Sequence, residues 1–170
     1  LSFTYRKSKR AVLRDFSLSF ESGTKMYTQP EVPFEATRWE ISGKTVLEIY
    51  IAPSADKPHL APDKEDKYKA YIRVADENIL ANEILVLSWE KKRRKDGTLV
   101  KISKPVERLF SYLEQYPYIN AGQLCRIGHV NYYTAKNILS DLLAIDALEY
   151  VVVDKRIFYQ RVPGNDKLAL

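Results

Sequence analysis

A segment near the C-terminus, residues 130–143 (VNYYTAKNILSDLL), combines hydrogen-bonding side chains with a helical apolar pattern. Its first half carries amide, hydroxyl and ammonium groups. An asparagine can pair with adenine through two hydrogen bonds, a lysine can reach guanine or phosphate, and a tyrosine hydroxyl can reach phosphate. The candidate contact residues for a nucleic acid are Tyr132, Tyr133, Thr134, Lys136 and Asn137.

A basic run supplies a second candidate contact for nucleic acid. The chain has a net charge of +5, and residues 90–103 hold six Lys or Arg against two Asp or Glu, which gives +4. Clustered cations release counterions from a phosphate backbone and so favour binding. A solvated linker has the same composition, so both interpretations stay open. The run consists of Lys91, Lys92, Arg93, Arg94 and Lys95.

The sequence contains no pattern typical of a catalytic site. His59 and His129 have no Cys or carboxylate at metal-ligand or triad spacing, and the single cysteine, Cys125, excludes an internal disulfide. The six glycines form no phosphate-binding motif. We therefore predict no catalytic residue, no metal site and no cofactor site.

The elements around residues 130–143 predict how their side chains are presented. Apolar residues recur at helical spacing over 106–113, and a second short helix is expected over 121–127. Asn131 is the expected N-cap of the third helix. In that helix Ala135, Ile138, Leu139 and Leu142 should face the core, leaving Tyr133, Lys136, Asn137 and Ser140 exposed.

Two β-rich runs, 149–153 and 156–161, follow the third helix and predict a hairpin. The order of helix, helix, turn, helix and hairpin is that of a winged helix-turn-helix domain. A three-helix domain with an unrelated hairpin gives the same pattern. In the winged form, Lys155 and Arg156 at the hairpin tip would touch the DNA backbone. Winged helices also serve in dimerisation and protein docking.

The first part of the chain is predicted to be rich in strands. Residues 34–40 and 45–51 flank a turn at 41–44, residues 69–74 form another strand, and 79–89 are partly helical. A short helix is expected over 21–27 and a charged loop over 53–67. The fold class is thus α+β. Its parts are a domain at 1–90, a basic linker at 91–103, a winged helix at 104–163 and a tail at 164–170.

The sequence gives no sign of a membrane or of secretion. No apolar run approaches the roughly 18 residues that span a bilayer, and no signal peptide is recognised. We expect a cytoplasmic protein that has no membrane partner.

Residues 46–82 resemble the closing half of the Alba-like DNA-binding domain of the Schlafen/divergent-AAA family. The matching segments are the strand 46–51, Pro53-Ser54, Lys57-Pro58-His59, the strand 69–74 (KAYIRV), and Asn82. The resemblance covers about residues 26–90. The preceding residues 26–46 (MYTQPEVPFEATRWEISGKTV) resemble bacterial members that are often labelled ATP-binding proteins or transcriptional regulators, and such members commonly carry a winged helix.

The chain departs from this family at its start. The Glu-Phe-Lys segment and the helix–strand stretch with which members begin are absent from residues 1–20. Since the catalytic carboxylates of nuclease-active relatives come largely from that half, no catalytic residue is carried over. A truncated or divergent member is expected. If strands are missing, a partner chain would supply or cover the exposed sheet edge.

Three functions follow from these patterns. The first is a DNA-binding protein, a transcriptional regulator that uses the winged helix and the basic run. The second is a protein-interaction or dimerisation module, in which a homo-oligomer forms through the first domain or the winged helix. The third is a Schlafen-like nuclease fragment that lacks its active-site half.

Overall fold

The computed structural model of the chain describes residues 3–5, 10–14 and 28–163. These residues form helices and small sheets, which confirms the predicted α+β class. The chain divides into two compact units, Leu1–Tyr68 and Lys69–Leu170. Within the described ranges, no helix has both the length and the apolarity needed to cross a membrane.

The first unit contains an antiparallel sheet in the order β1-β2-β4-β3. Its strands are β1 (Phe3–Tyr5), β2 (Arg10–Arg14), β3 (Phe34–Ile41) and β4 (Lys44–Ile51). The turn between β3 and β4 consists of Ser42 and Gly43, whose φ angles are 53° and 71°. Two positive φ values suit a two-residue hairpin, because they match the twist of the flanking strands. The predicted hairpin around residues 41–44 is confirmed.

Other features of the first unit differ from the sequence predictions. Residues 53–67 are not loop throughout, since they contain the short strand β5 (Leu60–Pro62). The backbone of Leu60 also exchanges two hydrogen bonds with Gln29, at 2.9 and 2.8 Å. The helix predicted over 21–27 lies outside the described residues.

The second unit begins with a hairpin and continues with four helices and a second hairpin. The elements are β6 (Tyr68–Val74), β7 (Glu77–Leu80), α1 (Glu83–Lys92), α2 (Lys104–Gln115), α3 (Ala121–Gly128), α4 (Tyr132–Ala144), β8 (Leu148–Val153) and β9 (Arg156–Arg161). The strand predicted over 69–74, the three helices predicted after residue 104 and the final hairpin are confirmed. The helix predicted within 79–89 also occurs, and it extends to Lys92.

The division of the chain differs from the predicted one, which placed a boundary after residue 90 and a linker over 91–103. The structure divides the chain between Tyr68 and Lys69. Two residues of the predicted linker, Lys91 and Lys92, form the end of α1. Because α1 packs against α4, it belongs to the same compact unit as the three later helices.

The core of the second unit lies between α2, α3, α4 and the final hairpin. Leu109, Leu124, Leu139 and Leu142 are completely buried, as expected from their helical spacing. The backbones of Ile119 and Tyr159 exchange two hydrogen bonds of 2.8 Å. This bridge ties the segment between α2 and α3 to β9.

The predicted faces of α4 are correct only in part. Ala135, Leu139 and Leu142 are buried as predicted, whereas Ile138 is half-buried. Ser140, which the pattern placed on the exposed face, is completely buried. The reason is α1, which covers this side of α4.

Candidate nucleic-acid interface

The turn that leads into α4 has a well-defined geometry. His129 closes α3 in the left-handed conformation, with a φ of 53°. Asn131 caps α4 as predicted, because its side-chain oxygen accepts a hydrogen bond of 2.9 Å from the backbone N–H of Thr134. Gly128 packs closely on Pro105, since an added Cβ would lie 3.3 Å from the Pro105 Cβ. The α3–α4 turn is therefore packed against the start of α2, and α4 begins with a side-chain cap.

Two adjacent tyrosines occupy this first turn of α4. Tyr133 is 69% exposed and Tyr132 is 50% exposed, so both are accessible to a ligand, as the sequence predicts. Burial of the hydroxyl raises the pKa of Tyr132, and its hydrogen bond to Glu83 adds to this shift. Tyr132 is thus tied to α1, whereas Tyr133 points away from the core.

Lys136 also contacts α1 and not only solvent. Its ammonium donates a hydrogen bond of 2.9 Å to the Glu83 carboxylate, and only 22% of its side chain is exposed. This hydrogen bond, together with one from Tyr132, lowers the pKa of Glu83. The same ammonium lies 5.6 Å from the centre of the Tyr133 ring. The prediction of a freely exposed Lys136 is therefore wrong, because Glu83 on α1 holds it.

Asn137 is likewise engaged within the chain. Its amide nitrogen donates to the backbone oxygen of Tyr133 at 3.1 Å, and its side-chain oxygen accepts from Lys91 at 3.3 Å. Asn137 is half-buried, and both its amide nitrogen and its side-chain oxygen bond to groups of the chain. The predicted exposure of Asn137 is wrong for the same reason as that of Ser140.

Lys91 is the centre of the contact between α1 and α4. Only 9% of its side chain is exposed, and its ammonium lies 2.7 Å from the carboxylate of Asp141, which is 27% exposed. The ammonium also donates to the Ser140 hydroxyl at 2.8 Å. With these partners Lys91 cannot contact phosphate, so the prediction for this residue is wrong.

The rest of the basic run divides into paired and unpaired residues. Lys92 forms an ion pair with Asp146, and Arg93 has an interaction partner as well. Arg94 and Lys95 are exposed and form no ion pair with the described part of the chain. Only these last two residues of the run remain available as unpaired phosphate contacts.

The tip of the final hairpin presents one unpaired cation. Asp154 and Lys155 form the turn, with φ angles of 49° and 61°. Lys155 donates to Glu77 at 2.8 Å, although 74% of its side chain stays exposed. Arg156 is exposed and has no ion-pair partner among residues 28–163. Among the described residues Arg156 is therefore an unpaired cation, whereas Lys155 forms an exposed ion pair with Glu77.

Further cations, which the sequence did not single out, lie in the segment before α2, on α2 and in the last turn of α3. Lys101 lines a cleft beside Tyr133, and Lys104 begins α2. Arg108, one helical turn after Lys104, donates to the backbone oxygen of Ile127 at 3.2 Å and thus lies beside the α3–α4 turn. Arg126 is exposed in the last turn of α3. The spacing of Lys104 and Arg108 could have revealed this basic face of α2.

A cleft of about 400 Å³ lies between the segment that precedes α2 and the first half of α4. Its walls mix apolar and hydrogen-bonding side chains. They include Leu99, Val100, Ser103, Tyr133, Asn137 and Ile138. Leu99 is 96% exposed. The cleft separates α4 from the extended segment and leaves Tyr133 on its rim.

Groups suited to catalysis are scattered. His59 lies in the first unit, where its Nδ1 contacts the Pro30 oxygen at 2.9 Å, whereas His129 lies in the α3–α4 turn. Cys125 is half-buried in α3. The part of the chain that the structure describes holds no group of three or more His, Cys, Asp or Glu residues that could bind a metal ion.

No protein-family model matches the sequence, and neither a curated protein nor a solved structure does so.

Proposed function

We propose that the chain is a nucleic-acid-binding protein, a DNA-binding transcriptional regulator of the cytoplasm that has no catalytic activity of its own. In this proposal residues 104–163 form a winged helix-turn-helix, with α4 as the helix that approaches the DNA. The order of α2, α3, α4 and the β8–β9 hairpin supports it. The bridge between Ile119 and Tyr159 gives further support, because it anchors the hairpin beside the helices as a wing requires.

The observation that carries the proposal is the exposed first turn of α4, together with exposed cations on the neighbouring elements that form no ion pair among the described residues. Tyr133 is 69% exposed there, Lys101 lines the cleft beside it, and Lys104 and Arg126 are exposed at the start of α2 and in the last turn of α3. The backbone N–H groups at a helix N-terminus favour phosphate, and lysine and arginine add counterion release. This arrangement suits a surface that grips the DNA backbone and approaches bases with only a few side chains.

The contacts within the chain change the roles assigned to individual residues. Lys91, Lys136 and Asn137 hold α4 against α1, so we assign them to positioning and not to base contact. Tyr133 and Thr134 remain candidate readers, with Tyr132 beside them. Arg94, Lys95 and Arg156 remain candidate phosphate contacts. Because α1 covers one side of α4 from its first turn to its second half, we infer that this helix approaches a groove with the side that carries Tyr133.

For the first part of the chain we propose membership in the Schlafen/divergent-AAA family, with an Alba-like domain that lacks catalytic carboxylates. The segments that carry the resemblance form strands, β4 in the first compact unit and β6 at the start of the second, which supports the strand content of the proposed domain. Such a domain would contribute nucleic-acid contacts that do not depend on the winged helix. We propose no nuclease activity, since the matching segments supply no catalytic group.

Fluorescence anisotropy with labelled nucleic acid tests the function. Titrations of a random duplex and of a single strand with the full chain, over a series of salt concentrations, should give an affinity that falls as salt rises. Tighter binding to duplex than to single strand would support the winged-helix proposal. The proposal fails if neither probe shows salt-sensitive binding, and the protein-docking interpretation would then replace it.

A further inference from the structure

The strand β3 is an edge of its sheet that exposes large apolar side chains. Among the described residues it pairs with β4 alone, and all eight of its residues are exposed. Phe34, Trp39 and Ile41 are between 49% and 56% exposed. Exposed edge strands with apolar side chains are templates for pairing with another strand, and natural proteins usually protect them. We therefore expect another strand to cover this edge.

The hairpin geometry fixes which backbone groups point away from β4. Ile41 and Lys44 flank the two-residue turn, so they exchange hydrogen bonds with each other. Since this pattern alternates along an antiparallel ladder, Trp39 and Thr37 also direct their N–H and C=O groups toward β4. The outward groups then belong to Ala36, Arg38 and Glu40. A pairing strand must bond to these even-numbered residues.

We propose that β3 pairs antiparallel with β3 of a second copy of this chain, with Trp39 opposite Trp39 on the two-fold axis. In this register Arg38 of each copy lies opposite Glu40 of the other, and the outward backbone groups face each other as the ladder requires. Opposite charges and paired aromatic rings across antiparallel strands each stabilise a sheet. The pairing is independent of the proposed function.

The charges of Arg38 and Glu40 favour this register over the neighbouring ones, and they favour a second copy of the chain as the pairing partner. Moving the register by two residues in one direction would place Arg38 opposite Arg38, which is unfavourable. Moving it by four places Arg38 opposite Ala36 and Glu40 opposite Phe34, with no opposite charges facing each other. Arg38 and Glu40 already form an ion pair within one copy at 2.9 Å, and their side chains are 72% and 58% exposed. Arg38 and Glu40 are therefore exposed enough to contact Glu40 and Arg38, respectively, of a second copy.

Light scattering on two charge-reversal variants tests this pairing. The wild-type chain should show a concentration-dependent rise from the monomer mass of 19.7 kDa toward twice that value. Arg38→Glu alone and Glu40→Arg alone should each stay monomeric, because like charges then face each other. An equimolar mixture of the two variants should dimerise, since each Arg then meets a Glu. An ion pair within one copy cannot produce this rescue.

Disulfide trapping tests the register in a Cys125→Ser background. Trp39→Cys should form a disulfide-linked dimer, because opposite residues that exchange no hydrogen bond have Cα atoms roughly 4.5 Å apart. Thr37→Cys is the matched control and should remain unlinked. In the proposed register position 37 lies opposite position 41 of the other copy, so the two introduced cysteines are four residues apart along the strands. The inference is overturned if the wild-type chain stays monomeric, if the mixture fails to dimerise, or if the Thr37→Cys variant cross-links instead.

Discussion

The Lys91 ammonium lies 2.7 Å from the Asp141 carboxylate and joins the last turn of α1 to the second half of α4. It also donates to the Ser140 hydroxyl at 2.8 Å, within an environment that leaves 9% of the lysine side chain exposed. A buried charge is tolerated when an opposite charge and further hydrogen bonds compensate its lost hydration. This ion pair therefore fixes α1 against α4 and determines which part of α4 is accessible.

We expect Lys91→Met to destabilise the second unit. The apolar stem is kept, but Asp141 loses its cation while it remains partly buried. Removing one partner of a fully buried pair costs roughly 3–5 kcal/mol, and access of water to Asp141 should reduce this to about 2–3 kcal/mol. Urea denaturation at neutral pH measures the change.

Lys95→Met is the matched control for this variant, because Lys95 is exposed in the same basic run. Its free energy of unfolding should stay within roughly 0.5 kcal/mol of that of the wild type. Equal effects of the two substitutions would show that Lys91 is not held in the core.

The second α1–α4 ion pair, between Glu83 and Lys136, predicts a pH-dependent coupling. The hydrogen bond from Lys136 lowers the pKa of Glu83 in the folded state. Its contribution is therefore present above the unfolded pKa of a glutamate and is lost as pH falls through the lowered folded pKa. Because Glu83 is 54% exposed, we expect a coupling of only a few tenths of a kcal/mol near neutral pH.

A double-mutant cycle of Glu83→Gln and Lys136→Met measures this coupling. The coupling should vanish in acid. A cycle of Glu83→Gln with Lys92→Met serves as the control and should be additive, since Lys92 pairs with Asp146. A Glu83–Lys136 coupling that persists unchanged in acid would contradict the assignment.

Tyr159 predicts a loss of stability in alkali. Burial raises the pKa of its hydroxyl well above the ordinary tyrosine value, and the hydrogen bond with Asn82, at 2.8 Å, opposes this shift. The raised folded pKa means that its contribution is complete below about pH 10 and is lost progressively as pH rises toward the folded value. Tyr159→Phe should reduce this alkaline loss, and at neutral pH it should cost about 1–2 kcal/mol because Asn82 loses a partner.

Denaturation curves at neutral and alkaline pH compare Tyr159→Phe with Tyr150→Phe. Tyr150 lies on β8 and is 39% exposed, so its variant should keep the alkaline loss of the wild type. The assignment is wrong if Tyr159→Phe loses as much stability in alkali as the wild type does.

Cations near the first turn of α4 should control the salt dependence of nucleic-acid binding. Lys104→Ala combined with Arg126→Ala should weaken binding to all sequences and reduce the slope of log affinity against log salt by about 2, one for each lost phosphate contact. Lys92→Ala is a control, because Lys92 is held in an ion pair with Asp146. Anisotropy titrations measure both slopes, and an unchanged slope in the double variant would exclude these two residues from the interface.

Local sequence signals predicted the elements of the second unit well. The Asn131 cap, the spacing of Val106, Leu109 and Phe110, and the turn at Asp154 depend on neighbours only a few residues away. Each of these features is determined by capping chemistry, helical period or turn preference, which a single sequence reveals.

The packing of α1 against α4 could not be predicted from local sequence patterns. The apolar run from Ile84 to Leu87 has no single face, so it did not indicate which element α1 would pack against. The burial of Lys91 depends on Asp141, fifty positions later, and no local pattern links the two. For the same reason Ser140, Lys136 and Asn137 were predicted to be exposed. The burial of these three residues is determined by contacts with α1, which is distant in the sequence.

Photo-crosslinking from position 133 tests the proposed interface most directly. Tyr133→p-azidophenylalanine is compared with the same replacement at Tyr116, which is 51% exposed but lies at the other end of α2. Irradiation with labelled duplex DNA should yield a covalent adduct from position 133 and little from position 116. DNA binding that is retained without an adduct at position 133 would contradict the proposal that the first turn of α4 contacts the DNA.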